Sequence, residues 1–254
     1  MTGTAGFDVY VDGKFSTMFI PPIEMDESFA SLKPLGDGRM QEVEINFPIY
    51  SGVNELHIGL DEGAIVEAGR GYDFDFPIVY YGSSITQGAC ASRPGNIYEA
   101  IISRKTNTDF INLGFAGSAR GEKPIAEYIA GLDMKIFVLD YDFNAGSVPK
   151  LLATHEPFFK TVREAHPDLP IVMITRPSDE CGEREARKEV IKRTYENARA
   201  LGDENVYFID GYEIMSERTE GDGTVEGVHP NDYGFRAMAD GIGAVIQKIL
   251  NKKQ

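Results

Sequence analysis

The sequence is poor in cysteine: two in 254 residues, Cys90 and Cys181, neither in a CxxC pair. That is too few for a disulfide framework, and the expectation is two free thiols in a reducing compartment. Positive charge is also short, with 25 Lys and Arg against 40 Asp and Glu and a formal net charge of -15. This balance opposes a nucleic-acid backbone or an anionic membrane surface. No stretch reaches the roughly 18 apolar residues of a membrane span. The opening MTGTAGFDVYVDGK lacks the basic flank and apolar run of a signal peptide, so a cytoplasmic location is expected. Internal repeats, low-complexity segments and clustered Cys/His spacings are missing too, and no metal or organic cofactor is expected. Histidine is scarce: there are four.

What is present falls into two zones. Residues 1–75 read as a small all-β, sandwich-like domain: GFDVYV alternates, Asp12-Gly13 signals a hairpin before KFSTMFI, and EVEINFPIY and NELHIGL supply further strand-like runs. From Pro77 the texture changes. Short apolar runs, IVYYG (78–82), FINLG (110–114), IFVLDYD (136–142), IVMITR (171–176) and VYFIDG (206–211), alternate with amphipathic stretches near 97–105, 121–130, 149–165, 183–201 and 232–250. In the last of these, Met238, Ile242, Val245 and Ile249 make one helical stripe. The pattern predicts an α/β domain over 76–254, a three-layer α/β/α sandwich around a five-stranded parallel sheet. In such sheets ligands sit beyond the carboxyl ends of the strands.

The turns at those ends hold the residues with chemistry. After the first run, Gly82-Ser83-Ser84-Ile85-Thr86-Gln87-Gly88 puts serines on a tight strand-to-helix turn, as a nucleophile or as a helix cap. A phosphate loop is set aside, since the GK[ST] ending is missing. Gly114 ends the second run and Gly117 follows it, where a backbone amide can approach a ligand. Asn144 follows the third, as an amide donor or a turn residue. His229, in EGVHPNDYGF just before the last helix, can face the same edge, with Glu226 three residues earlier. His57 lies in an apparent strand, and His155 and His166 flank one surface helix.

Serine, glycine, asparagine and histidine in these slots, in this order, resemble the SGNH (GDSL-type) hydrolase family over roughly residues 77–250. The resemblance implies the flavodoxin-like SGNH fold. It makes Ser84 the nucleophile, the amides of Ser84 and Gly117 and the side chain of Asn144 the oxyanion donors, His229 the base and Glu226 the acid. Three positions depart from the family pattern: Ser83 replaces an aspartate, Asp142 replaces a glycine, and Glu226 stands where aspartate is usual, with Asp222 as a second candidate acid. The amino-terminal zone is similar to the β-sandwich that precedes the catalytic domain in some carbohydrate-active members.

The expected activity is therefore hydrolysis of small carboxylic esters, O-acetyl groups on a carbohydrate foremost, through an acyl-enzyme. The partner is a small-molecule ester such as an acetylated saccharide. Arg120 and Arg176, each just after a strand, are candidate substrate contacts. The competing readings are a non-catalytic carbohydrate-binding or scaffold protein on the same fold, and a thioesterase or lysophospholipase.

Overall fold

The computed structural model describes residues 2–22, 24, 28–35, 37–180 and 182–252; Cys181 lies outside them, and Cys90 is a free thiol. Each of the five apolar runs forms a strand: β4 (Ile78–Gly82), β5 (Phe110–Gly114), β6 (Ile136–Asp140), β7 (Ile171–Ile174) and β8 (Val206–Ile209). They pair in parallel in the order β5-β4-β6-β7-β8. The crossovers run through α3 (Tyr98–Thr106), α4 (Lys123–Ala130), α5 (Val148–Ala165) and α6 (Arg184–Ala200), and α7 (Gly211–Thr219) and α8 (Asp232–Lys252) close the chain.

The two faces of the sheet bury separate cores. Ile78, Tyr80, Ile136 and Val138 pack with α3 and α8 residues, whereas Val79, Tyr81, Phe137 and Leu139 pack with residues of α4, α5 and α6. With helices on both faces the central strands β4, β6 and β7 are buried throughout, and the edge strands β5 and β8 are partly so, which is why these segments read as continuous apolar runs rather than alternating ones. On α8 the buried stripe runs through Met238, Ile242, Ile246 and Ile249, with Val245 partly buried at its margin.

The helix α5 is less of a surface element than its sequence suggests. His155 points inward, 1% exposed, with Nδ1 2.9 Å from Thr194 Oγ1 and its ring stacked on Tyr141. Burial pushes its pKa down to about 3. His166 reaches the Ala130 carbonyl at the end of α4.

The amino-terminal zone begins with a single helical turn, α1 (Thr2–Ala5), and one antiparallel sheet, order β2-β1-β3, from β1 (Phe7–Val11), β2 (Lys14–Phe19) and β3 (Val43–Asn46). The Asp12-Gly13 hairpin forms with both residues at positive φ. The run NELHIGL does not become a strand: it has no ladder partner among the described residues, and Leu56, Ile58 and Leu60 are exposed, as is His57. Alternation prepares a segment for pairing but does not supply a neighbour.

One buried carboxylate docks this sheet on the segment that leads into α3. Asp8, fully buried on β1, accepts from the Gly95 amide at 2.9 Å and from Arg93 Nη1 at 3.2 Å. Around it, the Arg93 guanidinium lies 3.8 Å over the Phe15 ring and that of Arg104 4.0 Å over Tyr10. Removing Asp8 strands a buried amide, while Arg93 retains access to water. Asp8→Ala is expected to cost about 2–3 kcal/mol in urea unfolding; a loss below about 0.5 kcal/mol would show that the apolar and cation–π contacts dock the sheet alone.

Candidate active site

The parallel register sets Gly82, Gly114 and Asp140 level at the carboxyl ends of β4, β5 and β6. Helix α2 (Ser84–Gln87) lies directly on that row. A Cβ on Gly82 would stand 1.9 Å from Thr86 Oγ1, and one on Gly114 would stand 2.2 Å from the Gln87 amide. Neither glycine is at positive φ, so the requirement is close approach rather than backbone freedom.

The two serines of the turn divide the work. Ser83 is the cap of α2, its Oγ accepting from the Ile85 amide at 3.1 Å, which is the job an aspartate performs at such a position. Ser84 Oγ instead lies 2.8 Å from His229 Nε2. The other ring nitrogen, Nδ1, is in hydrogen-bond contact with Glu226 Oε1, which also accepts from the His229 amide at 3.1 Å. The extra methylene of glutamate lets the carboxylate curl back onto its own turn, so reach is not limiting. Burial pushes the Glu226 carboxyl up, but the His229 hydrogen bonds outweigh it and hold it below the usual range. Asp222 contributes only backbone hydrogen bonds: its carbonyl accepts from Asn231 and its amide donates to Thr219. Ser84, His229 and Glu226 thus form one hydrogen-bonded chain.

Gly117 and Asn144 reach the same edge through the loop after β5. The Phe115 amide donates to the Gly82 carbonyl at 2.9 Å, and Asn144 Nδ2 donates to the Phe115 carbonyl at 3.0 Å. Gly117 sits at φ +70° with open space where a Cβ would be. Arg120 is exposed, and its guanidinium donates to the Gly117 carbonyl.

Arg176 requires a correction. It is 2% exposed, its amide donates to Asp142 Oδ2 at 2.9 Å, and its guanidinium lies 3.5 Å from the same oxygen and 4.7 Å from the Phe143 ring centre. It braces the Asn144 turn from beneath instead of facing a substrate. Arg187, which no strand-end pattern marks, does the same from α6, donating to Asp142 Oδ1 and to the carbonyls of Asp142 and Ala145. The aspartate in place of glycine is thereby explained: it anchors the turn to two arginines. Gln87 is a second residue that sequence reasoning missed. Its Oε1 accepts from the Ala116 amide at 2.9 Å and its Nε2 donates to the Ile49 carbonyl, tying the Gly117 loop to the amino-terminal zone.

Among the described residues, one group of side chains has donor atoms close enough to hold a metal ion: Cys90, Glu226 and His229.

A family model for the GDSL-like lipase/acylhydrolase family matches residues 75–247. The chain belongs to this family. It is an ester hydrolase with the SGNH fold. No curated protein matches the sequence. Among solved structures, a GDSL-like lipase from Bacteroides ovatus ATCC 8483 is 34% identical, TM-score 0.83, over 98% of this chain and 76% of its own. A salicylyl-acyltransferase of a tetracycline biosynthetic pathway is 24% identical, TM-score 0.73, over 95% and 73%. A family two carbohydrate esterase from Clostridium thermocellum, solved with cellohexaose, is 17% identical, TM-score 0.66, over 98% and 87%. At those two identities the likeness is one of fold. No helix among the described residues of this GDSL-like hydrolase is long and apolar enough to cross a membrane.

Under the Ser84 turn lie two buried carboxyls with no cationic partner among the described residues. Asp140 accepts from Thr86 Oγ1 and Tyr98 OH, and burial pushes its pKa up to about 7. Glu99, contacted by Asn112, is raised well above its ordinary value for the same reason. A carboxyl raised in the folded state stabilises the fold fully below its unfolded pKa of about 4 and loses that contribution as pH rises through about 7. Asp140→Asn is therefore expected to gain stability relative to the parent between about pH 4 and pH 8. The gain reaches a few kcal/mol, because each pH unit between the unfolded and folded values is worth about 1.4 kcal/mol. Urea midpoints across that range test it; curves that stay parallel would rule it out.

Proposed function

We propose that this GDSL-like hydrolase is a serine esterase that releases small acyl groups, acetyl foremost, from hydroxyls of a carbohydrate. One observation carries the reading: Ser84 Oγ lies 2.8 Å from the same imidazole whose other nitrogen is held by Glu226. A helix cap needs neither contact, and Ser83 already fills that role.

In the proposed reaction His229 Nε2 takes the Ser84 proton as Oγ attacks the ester carbonyl, and Glu226 fixes the tautomer and balances the imidazolium. The tetrahedral oxyanion is held by the amides of Ser84 and Gly117 and by Asn144 Nδ2, whose second N–H is not used by the bond to Phe115. His229 then returns the proton to the leaving sugar hydroxyl. It next activates water, which adds to the acyl-enzyme carbonyl and releases the acid while Ser84 recovers its proton. Residues 76–254 are the proposed catalytic unit, with 1–75 a β-rich unit joined to it through Asp8 and Gln87.

Two features favour an acetylated saccharide over a charged or lipid ester. The net charge of -15 is unfavourable to a polyanionic substrate. Phe115, 39% exposed beside the edge, offers an aromatic face against which a sugar ring can lie, and the exposed Arg120 guanidinium offers donors for its hydroxyls. The carbohydrate esterase among the structural neighbours supports the same class.

A fluorophosphonate reacts only with an activated serine, so it separates this reading from a sugar-binding scaffold. Labelling at Ser84 and acetate release from a panel of acetylated sugars are expected for the parent and lost in Ser84→Ala. An unlabelled, inactive parent would leave the scaffold reading standing, and release of longer acyl chains or thioesters in preference would shift the substrate class. Glu226→Gln, which preserves shape but not charge, is expected to lower kcat by about 10²- to 10⁴-fold with little change in KM; an unchanged kcat would remove Glu226 from the mechanism.

A further inference from the structure

We infer that Cys90, Glu226 and His229 form a binding site for a borderline divalent cation of the zinc class, and that its occupation switches the esterase off. The switching rests on the function proposed above; the binding does not.

A thiol, a carboxylate and an imidazole are the three side-chain types that zinc takes, and one donor atom from each lies within 4.8 Å of the other two. Bonds of about 2.0–2.3 Å in a tetrahedral site place ligands roughly 3.3–3.8 Å apart. Forming the site thus needs the widest pair to close by up to about 1 Å and the Glu226–His229 pair to open from hydrogen-bond contact to ligand spacing, both within side-chain reach. All three side chains are partly open to solvent, so an ion can enter and a water can complete its shell.

The backbone holds these groups together although they are far apart in the chain. Gly88 and Ala89 both donate to the Ser84 carbonyl, which fixes the turn that presents Cys90 at φ +70°. Two residues on, Ser92 donates from its amide and its hydroxyl to the two carboxylate oxygens of Asp232, three residues after His229. The thiol is thereby pinned against the histidine loop. No hydrogen bond to Cys90 Sγ is seen among the described residues, so the thiol is available to a cation. A bound cation favours the thiolate and is bonded by it.

Coordination by Cys90 Sγ, Glu226 Oε1 and His229 Nδ1 releases the thiol proton to solvent. The Nδ1 proton is exchanged for one on Nε2. The imidazole then donates to Ser84 Oγ and has no lone pair with which to take its proton. Inhibition follows from the tautomer alone, with Ser84 still in place.

Cobalt(II) titration of the full chain tests binding without reference to activity. A thiolate-to-cobalt charge-transfer band at one ion per chain is expected, displaced by zinc and lost in Cys90→Ser. In parallel, fluorophosphonate labelling of Ser84 is expected to be suppressed by zinc and restored by a chelator. In Cys90→Ser, zinc should be needed at a concentration higher by more than the roughly 10- to 100-fold that loss of an outer-shell partner costs. No charge-transfer band, or an equal one in Cys90→Ser, overturns the site. A band that depends on Cys90, with no labelling of the metal-free parent, leaves the site intact and refutes the esterase reading instead. Equal zinc sensitivity of labelling in both chains refutes the switch.

Discussion

The close seating of α2 on the ends of β4 and β5 is the constraint from which the rest of the site follows. Thr86 and Gln87 occupy the space that side chains at Gly82 and Gly114 would fill, so the helix starts at the sheet itself and not above it. From that position Ser84 faces His229, Thr86 meets Asp140, and Gln87 reaches the loop that carries Gly117. A side chain at either glycine would lift the helix and break three relationships at once. The site is therefore built by a contact between backbone and sheet edge, and only secondarily by the polar groups displayed there.

Beneath that contact the protein buries carboxyls in two different ways. Asp142 is surrounded by Arg176, Arg187 and the Arg176 amide, which together satisfy both oxygens and hold the Asn144 turn. Asp140, two residues earlier, receives only neutral donors from Thr86 and Tyr98, and burial moves it toward its protonated form. The charged assembly stands under the turn that carries Asn144 and holds it in place. The carboxyl without a cation stands under the serine, where, in the proposed reaction, a fixed negative charge would oppose a developing oxyanion. A carboxyl that protonates readily there limits the opposing field.

Most of this arrangement is legible in the sequence because its signals are local. Five apolar runs separated by amphipathic stretches read as strands covered on both faces; the ends of the first three mark Ser84, Gly117 and Asn144, and the start of the last helix marks His229. What escapes such a reading depends on pairs distant in sequence. Arg187 lies mid-helix and looks like one more surface charge until α6 packs against the Asp142 turn. Arg176 looks exposed because a strand end is usually open, yet Phe143 and Asp142 close over it. His155 sits on the face of α5 that meets α6, and a histidine at that spacing carries no mark of its burial. NELHIGL has the period of a strand without a partner, which is a property of the neighbourhood and not of the segment.

Glu226, where the family pattern has aspartate, changes how the His229 turn is built. Its carboxylate accepts from both the ring and the amide of His229, so carboxylate and imidazole are fixed by one turn of four residues. Their mutual geometry then owes little to the packing of the sheet. What the rest of the fold must supply is the placement of that turn as a unit. Asp232 does this by holding Ser92, and Asn231 does it by bonding back to the carbonyls of Asp222 and Thr224. The same pinning that delivers the imidazole to Ser84 also brings Cys90 close to the imidazole and to Glu226, as a consequence of the loop's own anchoring.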